Sequence, residues 1–410
     1  MESPPLPTGG AEEAPEAAGP LSGLRVVDLT RFIAGPLCCQ ILGDMGAEVI
    51  KVERPGGEDA RRNTPQVHGE ALYTLTFNRN KYGVTLDTRH PEAGAILERL
   101  VAGADVVVEN FRPGTLAAMG LDWARIQEIN PRTVLVSISG YGQDGPNRDR
   151  ALFDAIAQAA TGLMSMTGGP DDEPTMAGAF LADHVAAFHG VMGAMMALAA
   201  RERTGRGQHV DVACFDALFS CLGTQPGAWS MLGQTSPRTR NRDQITVPAN
   251  TFPTADGYVY LHGGTDSLFA RLAKVMGSPE LADDPRFVTQ QDRLDHVDAI
   301  EDIVRGWTRR ADSATVCAEL GAAGVPSTPV ATVAEAADSD QVRAREMLLE
   351  VAHPELGTVV VPGMPLKLTD TPGAVRKAPP LVGEDNEDVY TRLLGLRPDA
   401  VADLRTRGVI

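Results

Sequence analysis

Four consecutive pieces decide the fold: Leu24-Arg-Val-Val-Asp-Leu29, Arg31-Phe-Ile-Ala-Gly-Pro36, Leu37-Cys-Cys-Gln-Ile-Leu-Gly-Asp-Met45 and Ala47-Glu-Val-Ile-Lys-Val52. The first is a β-branched run that suits a strand, and the second is a turn. The third is apolar at helical spacing and is closed by Gly46. The fourth is again a strand. Strand, helix and strand in so short a stretch form a β-α-β unit, which requires a parallel sheet with a right-handed crossover. The alternation continues through Gly83-Val-Thr-Leu86, a helix from about Pro91 to Ala102, Ala104-Asp-Val-Val-Val108, a helix near Asp122 to Ile129, and Thr133-Val-Leu-Val-Ser-Ile138. The fold expected from this pattern is α/β, with a Rossmann-like, doubly wound large domain.

Around this core the chain divides by composition. Residues 1–20 are rich in Pro, Ala, Glu and Gly and read as a disordered tail, neither a signal nor a transit peptide. The large domain is expected over 21–222, and 223–247, with its Pro, Gly, Ser, Thr and Arg, reads as a linker. Residues 248–330 form a smaller α+β domain, with Phe252 to Leu261 as a turn flanked by strands and helices over Leu268 to Met276 and Val297 to Trp307. Residues 331–410 hold a linker helix, a strand at Gly357 to Pro362 and a helix opening at Glu384, and return to the large domain. At 410 residues two domains are the natural expectation. The formal charge of −17 argues against nucleic-acid binding and for a soluble cytoplasmic protein. The five cysteines show no Cys-x-x-Cys pair, so neither a disulfide framework nor a metal site is expected. No unbroken run of about eighteen apolar residues is present, so no membrane partner is expected.

Ligands of such sheets sit beyond the carboxyl ends of the strands. The segments Glu53-Arg-Pro-Gly-Gly57, Glu109-Asn-Phe-Arg-Pro-Gly114 and Ser139-Gly-Tyr-Gly-Gln143 follow strands, and Asn78-Arg-Asn-Lys-Tyr82 precedes one. Arg54, Arg79, Lys81 and Arg112 are candidates to hold phosphates, and Phe111 or Tyr141 to stack on a purine. The alternative for each loop is an ordinary turn with solvated charges. No G-x-G-x-x-G follows the first strand, so a standard NAD site is not supported. One further stretch stands out, Met176-Ala-Gly-Ala-Phe-Leu-Ala-Asp-His-Val-Ala-Ala-Phe-His-Gly190, a small and apolar run with the single carboxylate Asp183. It leads into Val191 to Ala200, which reads as a buried helix. Asp183 is either an N-cap of that helix or a carboxylate nucleophile made reactive by poor solvation.

Taken in order, several motifs resemble the family III CoA-transferases, the group containing the formyl-CoA:oxalate and carnitine enzymes. They are Leu21-Ser-Gly-Leu-Arg-Val-Val-Asp28, Gly46-Ala-Glu-Val-Ile-Lys-Val-Glu-Arg-Pro55, Asn80-Lys81, Val108-Glu-Asn-Phe-Arg-Pro-Gly114, Ser139-Gly-Tyr-Gly142, Thr204-Gly-Arg-Gly-Gln208 and Asp211-Val-Ala-Cys-Phe-Asp216. The resemblance implies an interlocked homodimer and an acyl-CoA:carboxylate CoA-transferase working through an aspartyl-CoA thioester on Asp183. Its substrates would be an acyl-CoA, with succinyl-CoA a suggested donor, and a small carboxylic acid, with no cofactor beyond CoA itself. It also implies CoA-binding roles for Ala34, Arg54, Asn78, Asn80, Lys81, Asn110, Phe111, Arg112, Ser139, Gly140, Tyr141 and Gly142, and an active-site loop at Gly263 and Gly264. The related α-methylacyl-CoA racemases share this fold but pair the aspartate with a histidine directly before the Asp154 helix; here that position is Phe153. Ile33 and Ala118 also depart from the oxalate enzyme's glutamine and arginine, which argues against oxalate. Arg31, Arg61 and Arg62 are candidates for a second carboxylate, which would make the acid a dicarboxylate such as succinate; binding of CoA phosphate is their alternative role.

Overall fold

A computed structural model of the protein describes residues 19–410. All but the last two residues of the expected tail lie outside the described residues. The chain forms two compact units. The first comprises the residues up to Leu163, Ala177–Pro226 and Asp340–Ile410; the second comprises Met164–Met176 and Gly227–Ser339.

In the first unit the chain runs β1 (Arg25–Asp28), α1 (Ala34–Asp44), β2 (Glu48–Glu53), α2 (Leu72–Phe77), β3 (Lys81–Thr85), α3 (Ala93–Ala102), β4 (Val106–Glu109), α4 (Trp123–Ile129), β5 (Val134–Ser139), α5 (Asp154–Ala160), α6 (Leu181–Thr204), β6 (His209–Ala213) and α7 (Cys214–Ser220). The six strands form one parallel sheet in the order β3-β2-β1-β4-β5-β6, the doubly wound Rossmann order. Successive side chains of a strand point to opposite faces. Val26, Val49, Val106, Val108, Val136 and Ile138 accordingly join the core under α1 and α6. Val27, Ile50, Val84, Val107 and Leu135 pack on the other face with α3 and α4.

The helix containing Asp183 starts ten residues earlier than its apolar run suggests and is 24 residues long. It is long and apolar enough to cross a membrane by length and composition, a property that the search for an unbroken apolar run missed. Here it packs on α1, β5, β6 and α7, and its charged end is tied down by Arg201, which pairs with Asp105 at 3.0 Å. Glycine lets it approach the sheet. A Cβ on Gly190 would lie 2.9 Å from Ile138 Cδ1, and one on Gly193 would lie 2.4 Å from Val210 Cγ1.

β3 is an edge strand, and the end of the chain covers it. Asn386 Oδ1 accepts from Thr85 N at 2.8 Å, Asp385 Oδ2 accepts from Gly83 N at 2.7 Å, and Tyr390 donates its hydroxyl to Thr85 O at 2.7 Å. These residues satisfy the donors and acceptors that a neighbouring strand would otherwise take. Val389, Tyr390, Leu394, Val401, Leu404 and Val409 fill the same core as α3. Strand Gly357–Pro362 pairs antiparallel with Leu348–His353, a partner not read from the sequence.

The second unit has a three-stranded antiparallel sheet of Ser327–Pro329, Tyr258–His262 and Ala249–Pro253, with helices Asp266–Val275, Val297–Thr308 and Ser313–Ala322. Its centre is the fully buried Arg293, which donates to Val247 O, Phe287 O and Gly264 O at 2.8, 2.9 and 2.7 Å. The stretch 223–247 is not an irregular linker throughout, because Gln225–Leu232 is helical.

Candidate active site

β1 and β4 lie side by side, and the chain leaves them toward opposite halves of the sheet. The loops after them therefore meet at the switch point where ligands bind in such folds. Asn110, directly after β4, clamps the two loops. Its Oδ1 accepts from Arg31 N at 2.8 Å, and its Nδ2 donates to Arg31 O at 2.7 Å. The Arg31 guanidinium lies over the Phe111 ring, 5.2 Å from its centre, a contact that favours the cation.

Buried charges hold the Arg31 loop from below. Lys51 donates to Thr30 O at 3.0 Å and pairs with Glu58 at 3.1 Å. Glu58 in turn accepts from Phe32 N at 2.9 Å, which fixes Phe32 at a φ of +65°, a backbone conformation that a bulky residue adopts only when its surroundings impose it.

Two cavities share Arg31 and Phe111. One, of about 250 Å³, holds Asp183 together with Ala34, Asn110, Arg112, Ser139 and Gly140. The other, of about 270 Å³, is lined by Leu29, Val52 and Leu86 together with Arg54 and Arg89.

Asp183 is the third residue of α6, so it is not the N-cap; that position is Phe180, which makes no side-chain cap bond. The cap comes from α5 instead. Asp154 Oδ1 accepts from Ala182 N at 2.7 Å and from Asp183 N at 3.3 Å. Gln158, one turn on, donates to Asp154 Oδ2 at 2.7 Å and to Ala179 O at 3.1 Å, and accepts from Ala177 N at 2.9 Å. The Asp183 side chain is thus released from capping and faces the cavity. Burial, and then the neighbouring Asp154 charge, pushes its carboxyl up to about 7. Cys214 lines the same cavity, and burial pushes its thiol up to about 12, with Asp183 and Asp154 adding to the effect.

The family model for CoA-transferase family III matches residues 21–386. The chain belongs to this family. It is a CoA-transferase, and it is 38% identical over 394 residues to the succinyl-CoA–D-citramalate CoA-transferase of Chloroflexus aurantiacus, covering 95% of this chain and 98% of that one. It is 36% identical over 410 residues to the formyl-CoA:oxalate CoA-transferase of Streptomyces avermitilis, covering 95% and 99%. Among solved structures, a CAIB/BAIF family protein from Brucella suis matches with a TM-score of 0.83 at 35% identity, covering 92% of this chain and all of that one.

For this CoA-transferase, the expected CoA-binding residues divide into three groups. Ala34, Asn110, Phe111, Arg112, Ser139 and Gly140 line the Asp183 cavity, and Arg54 lines the adjoining one. Tyr141 and Gly142 line neither; Tyr141 packs on Phe215 at 5.6 Å, and Gly142 N donates to Ser139 Oγ at 3.1 Å. Side chains on the Asn78 to Lys81 segment, of which Arg79 and Lys81 were expected to hold phosphate, are held by internal partners. Lys81 gives its three N–H groups to Asp28 Oδ2, Pro36 O and Asn78 Oδ1, at 2.8, 2.9 and 2.9 Å. Arg79 and Asn80 both close on Asp44, at 2.7 Å each. Arg61 is likewise held by Glu53 and Glu70, at 2.7 and 3.2 Å, and is not available to a substrate carboxylate.

Gly263 and Gly264 lie in the second unit, where a Cβ on Gly264 would come within 2.5 Å of Thr246 Cβ. The sequence reading missed Asp154 as the cap, and with it Arg148, Arg150 and Leu152 of the loop before α5, which line the Asp183 cavity together with Phe153, the residue already noted in the histidine's place. Asp154 carried one signal, as an acidic residue opening a helix.

Proposed function

We propose that this CoA-transferase moves CoA between an acyl-CoA, with succinyl-CoA as donor, and a free carboxylic acid through a thioester on Asp183. The observation that carries the reading is the pairing of groups in one cavity. The carboxyl of Asp183, at about 7, is substantially ionised near neutrality, whereas the Cys214 thiol, at about 12, stays protonated. Asp183 is therefore the available nucleophile. Its oxygen attacks the thioester carbonyl, the C–S bond breaks, and CoA leaves as thiolate. The thiolate attacks the Asp183 carbonyl of the resulting mixed anhydride, releasing the donor acid and leaving aspartyl-CoA. The acceptor carboxylate then attacks this thioester, giving a second anhydride, and the thiolate attacks its acyl carbon to form the new acyl-CoA and free Asp183. No net proton is consumed.

The two joined cavities support a binding mode for CoA. The nucleotide lies among Leu29, Val52, Leu86, Arg54 and Arg89, and the pantetheine arm passes Arg31 and Phe111 toward Asp183. A racemase reading has less support. Phe153 occupies the histidine's place, and His184 lines a different groove with Phe188 and Met192. The exposed Phe188, Met192, Met195 and Met196 of α6 support a homodimer, and light scattering at the 43.5 kDa of one chain would remove that part. The five free cysteines support a reducing compartment such as the cytoplasm.

The test is mass spectrometry after incubation with succinyl-CoA and hydroxylamine. Hydroxylamine displaces CoA from the thioester, so a hydroxamate mapped to Asp183 is expected; an unmodified Asp183 across several donors would sink the proposal. The pH profile gives a second check. An acid raised to about 7 is protonated, and so non-nucleophilic, below that value. Log kcat/KM should therefore fall with unit slope below about pH 7. Asp154→Asn keeps an oxygen for Ala182 N but removes the charge, and should move this limb down by about one pH unit. An unmoved limb would separate it from Asp183.

A further inference from the structure

The Asp183 cavity contains four arginines, Arg31, Arg112, Arg148 and Arg150, in a chain whose net charge is −17. They come from two places. Arg31, in the loop after β1, lies at the neck shared with the second cavity, where an anionic diphosphate would pass, and Arg112, in the loop after β4, follows Phe111, the other residue of that neck. Arg148 and Arg150 belong to the loop between β5 and α5 and line only the Asp183 cavity.

That loop is anchored at both ends. Gln143 N donates to Asp211 Oδ2 at 2.9 Å, and Gly140 sits so close to Leu152 that a Cβ would lie 2.7 Å from Leu152 Cβ. The loop runs directly into Asp154, which caps the Asp183 helix, so its arginines are tied to the same frame as the nucleophile.

The two arginines are not equivalent. Arg148 is partly neutralised by Asp149 at 3.4 Å. Arg150 pairs with no carboxylate of the described residues, and its side chain donates to the neutral Asn147 Oδ1 at 3.3 Å. A guanidinium without a carboxylate, in a cavity already supplied with a carboxylate nucleophile, suits a second anionic group on the substrate. Its planar fork matches a carboxylate with two parallel hydrogen bonds.

We propose that Arg150, supported by Arg148, binds the distal carboxylate of a dicarboxylic acyl group and acid, and so sets the specificity of the Asp183 site. The assignment rests on the transferase reading above. It replaces the sequence-based choice of Arg31, Arg61 and Arg62 with two arginines that line the Asp183 cavity and not the adjoining one.

The test compares acceptors in one protein preparation. With succinyl-CoA as donor, kcat/KM is measured for glutarate and for butyrate, which has a single carboxylate. The wild type should favour glutarate. Arg150→Gln should lower the glutarate-to-butyrate ratio by roughly 10- to 100-fold, the range expected for losing hydrogen bonds to a charged group, mainly through KM. Arg150→Lys, which keeps the charge but not the fork, should recover part of the ratio. Because both acids are read in the same sample, a loss of folded protein cancels. An unchanged ratio in Arg150→Gln, or an equal fall for both acids, overturns the assignment and leaves the transferase reading standing. Absence of transfer to either acid in the wild type, with no adduct on Asp183, removes the transferase reading and this assignment with it.

Discussion

Asp183→Asn or Asp183→Ala is expected to lower kcat for CoA transfer by roughly 10⁴-fold or more, the scale on which removing a covalent nucleophile acts. CoA binding should persist, because the arginines and loop residues at the switch point are untouched. Turnover would be followed as acyl-CoA product and binding by calorimetry; turnover within tenfold of wild type would refute the nucleophile assignment. Asp183→Asn carries a second expectation of opposite sign. A carboxyl raised from 3.8 to about 7 makes the folded state hold a proton that the unfolded state has lost. Between those values stability falls as pH rises, and above about 7 the folded state bears a poorly solvated charge. Asparagine cannot ionise, so the inactive variant should be more stable than wild type by on the order of 2 kcal/mol at pH 8 and by less at pH 5. Thermal melts at the two pH values would show it, and equal differences at both would exclude the linkage.

Lys81→Met should have the largest effect on folding. Lys81, which opens the edge strand β3, and Asp28, which ends β1, are both fully buried and 2.8 Å apart. Removing the lysine strands the Asp28 charge, and breaking such a pair costs about 3–5 kcal/mol. The Asp28→Asn, Lys81→Met double variant leaves no unpaired charge and should recover much of that loss. Urea midpoints for the two single variants and the double would measure it. A single-variant loss below about 1 kcal/mol would show that the pair is not structural.

The parallel sheet was legible because its strands are β-branched runs separated by helix-length segments, and each such pattern is local. The internal partners of Lys81, Arg79 and Arg61 were not legible for the opposite reason. Their partners Asp28, Asp44 and Glu53 lie 53, 35 and 8 positions away, and nothing in the sequence distinguishes a basic residue paired in the core from one waiting for phosphate. Asp183 itself was legible as an isolated carboxylate in an apolar run. Its release from capping was not, since the acceptor that frees it is Asp154, contributed by a different helix. Arg150 was hidden in the same way, because only the path of the loop before α5 brings it to the cavity.

The cover on β3 sets an order of events during synthesis. Thr85 and its partner Asn386 are separated by 301 positions, which a ribosome takes roughly 15–60 s to traverse. For that interval the β3 rim of the nascent sheet is open to pairing with another chain. Ribosomes crowded on one message would place several such rims together until the last helices emerge. Slower elongation over residues 86 to 385 should raise the insoluble fraction, while supplying residues 385–410 as a separate peptide should lower it.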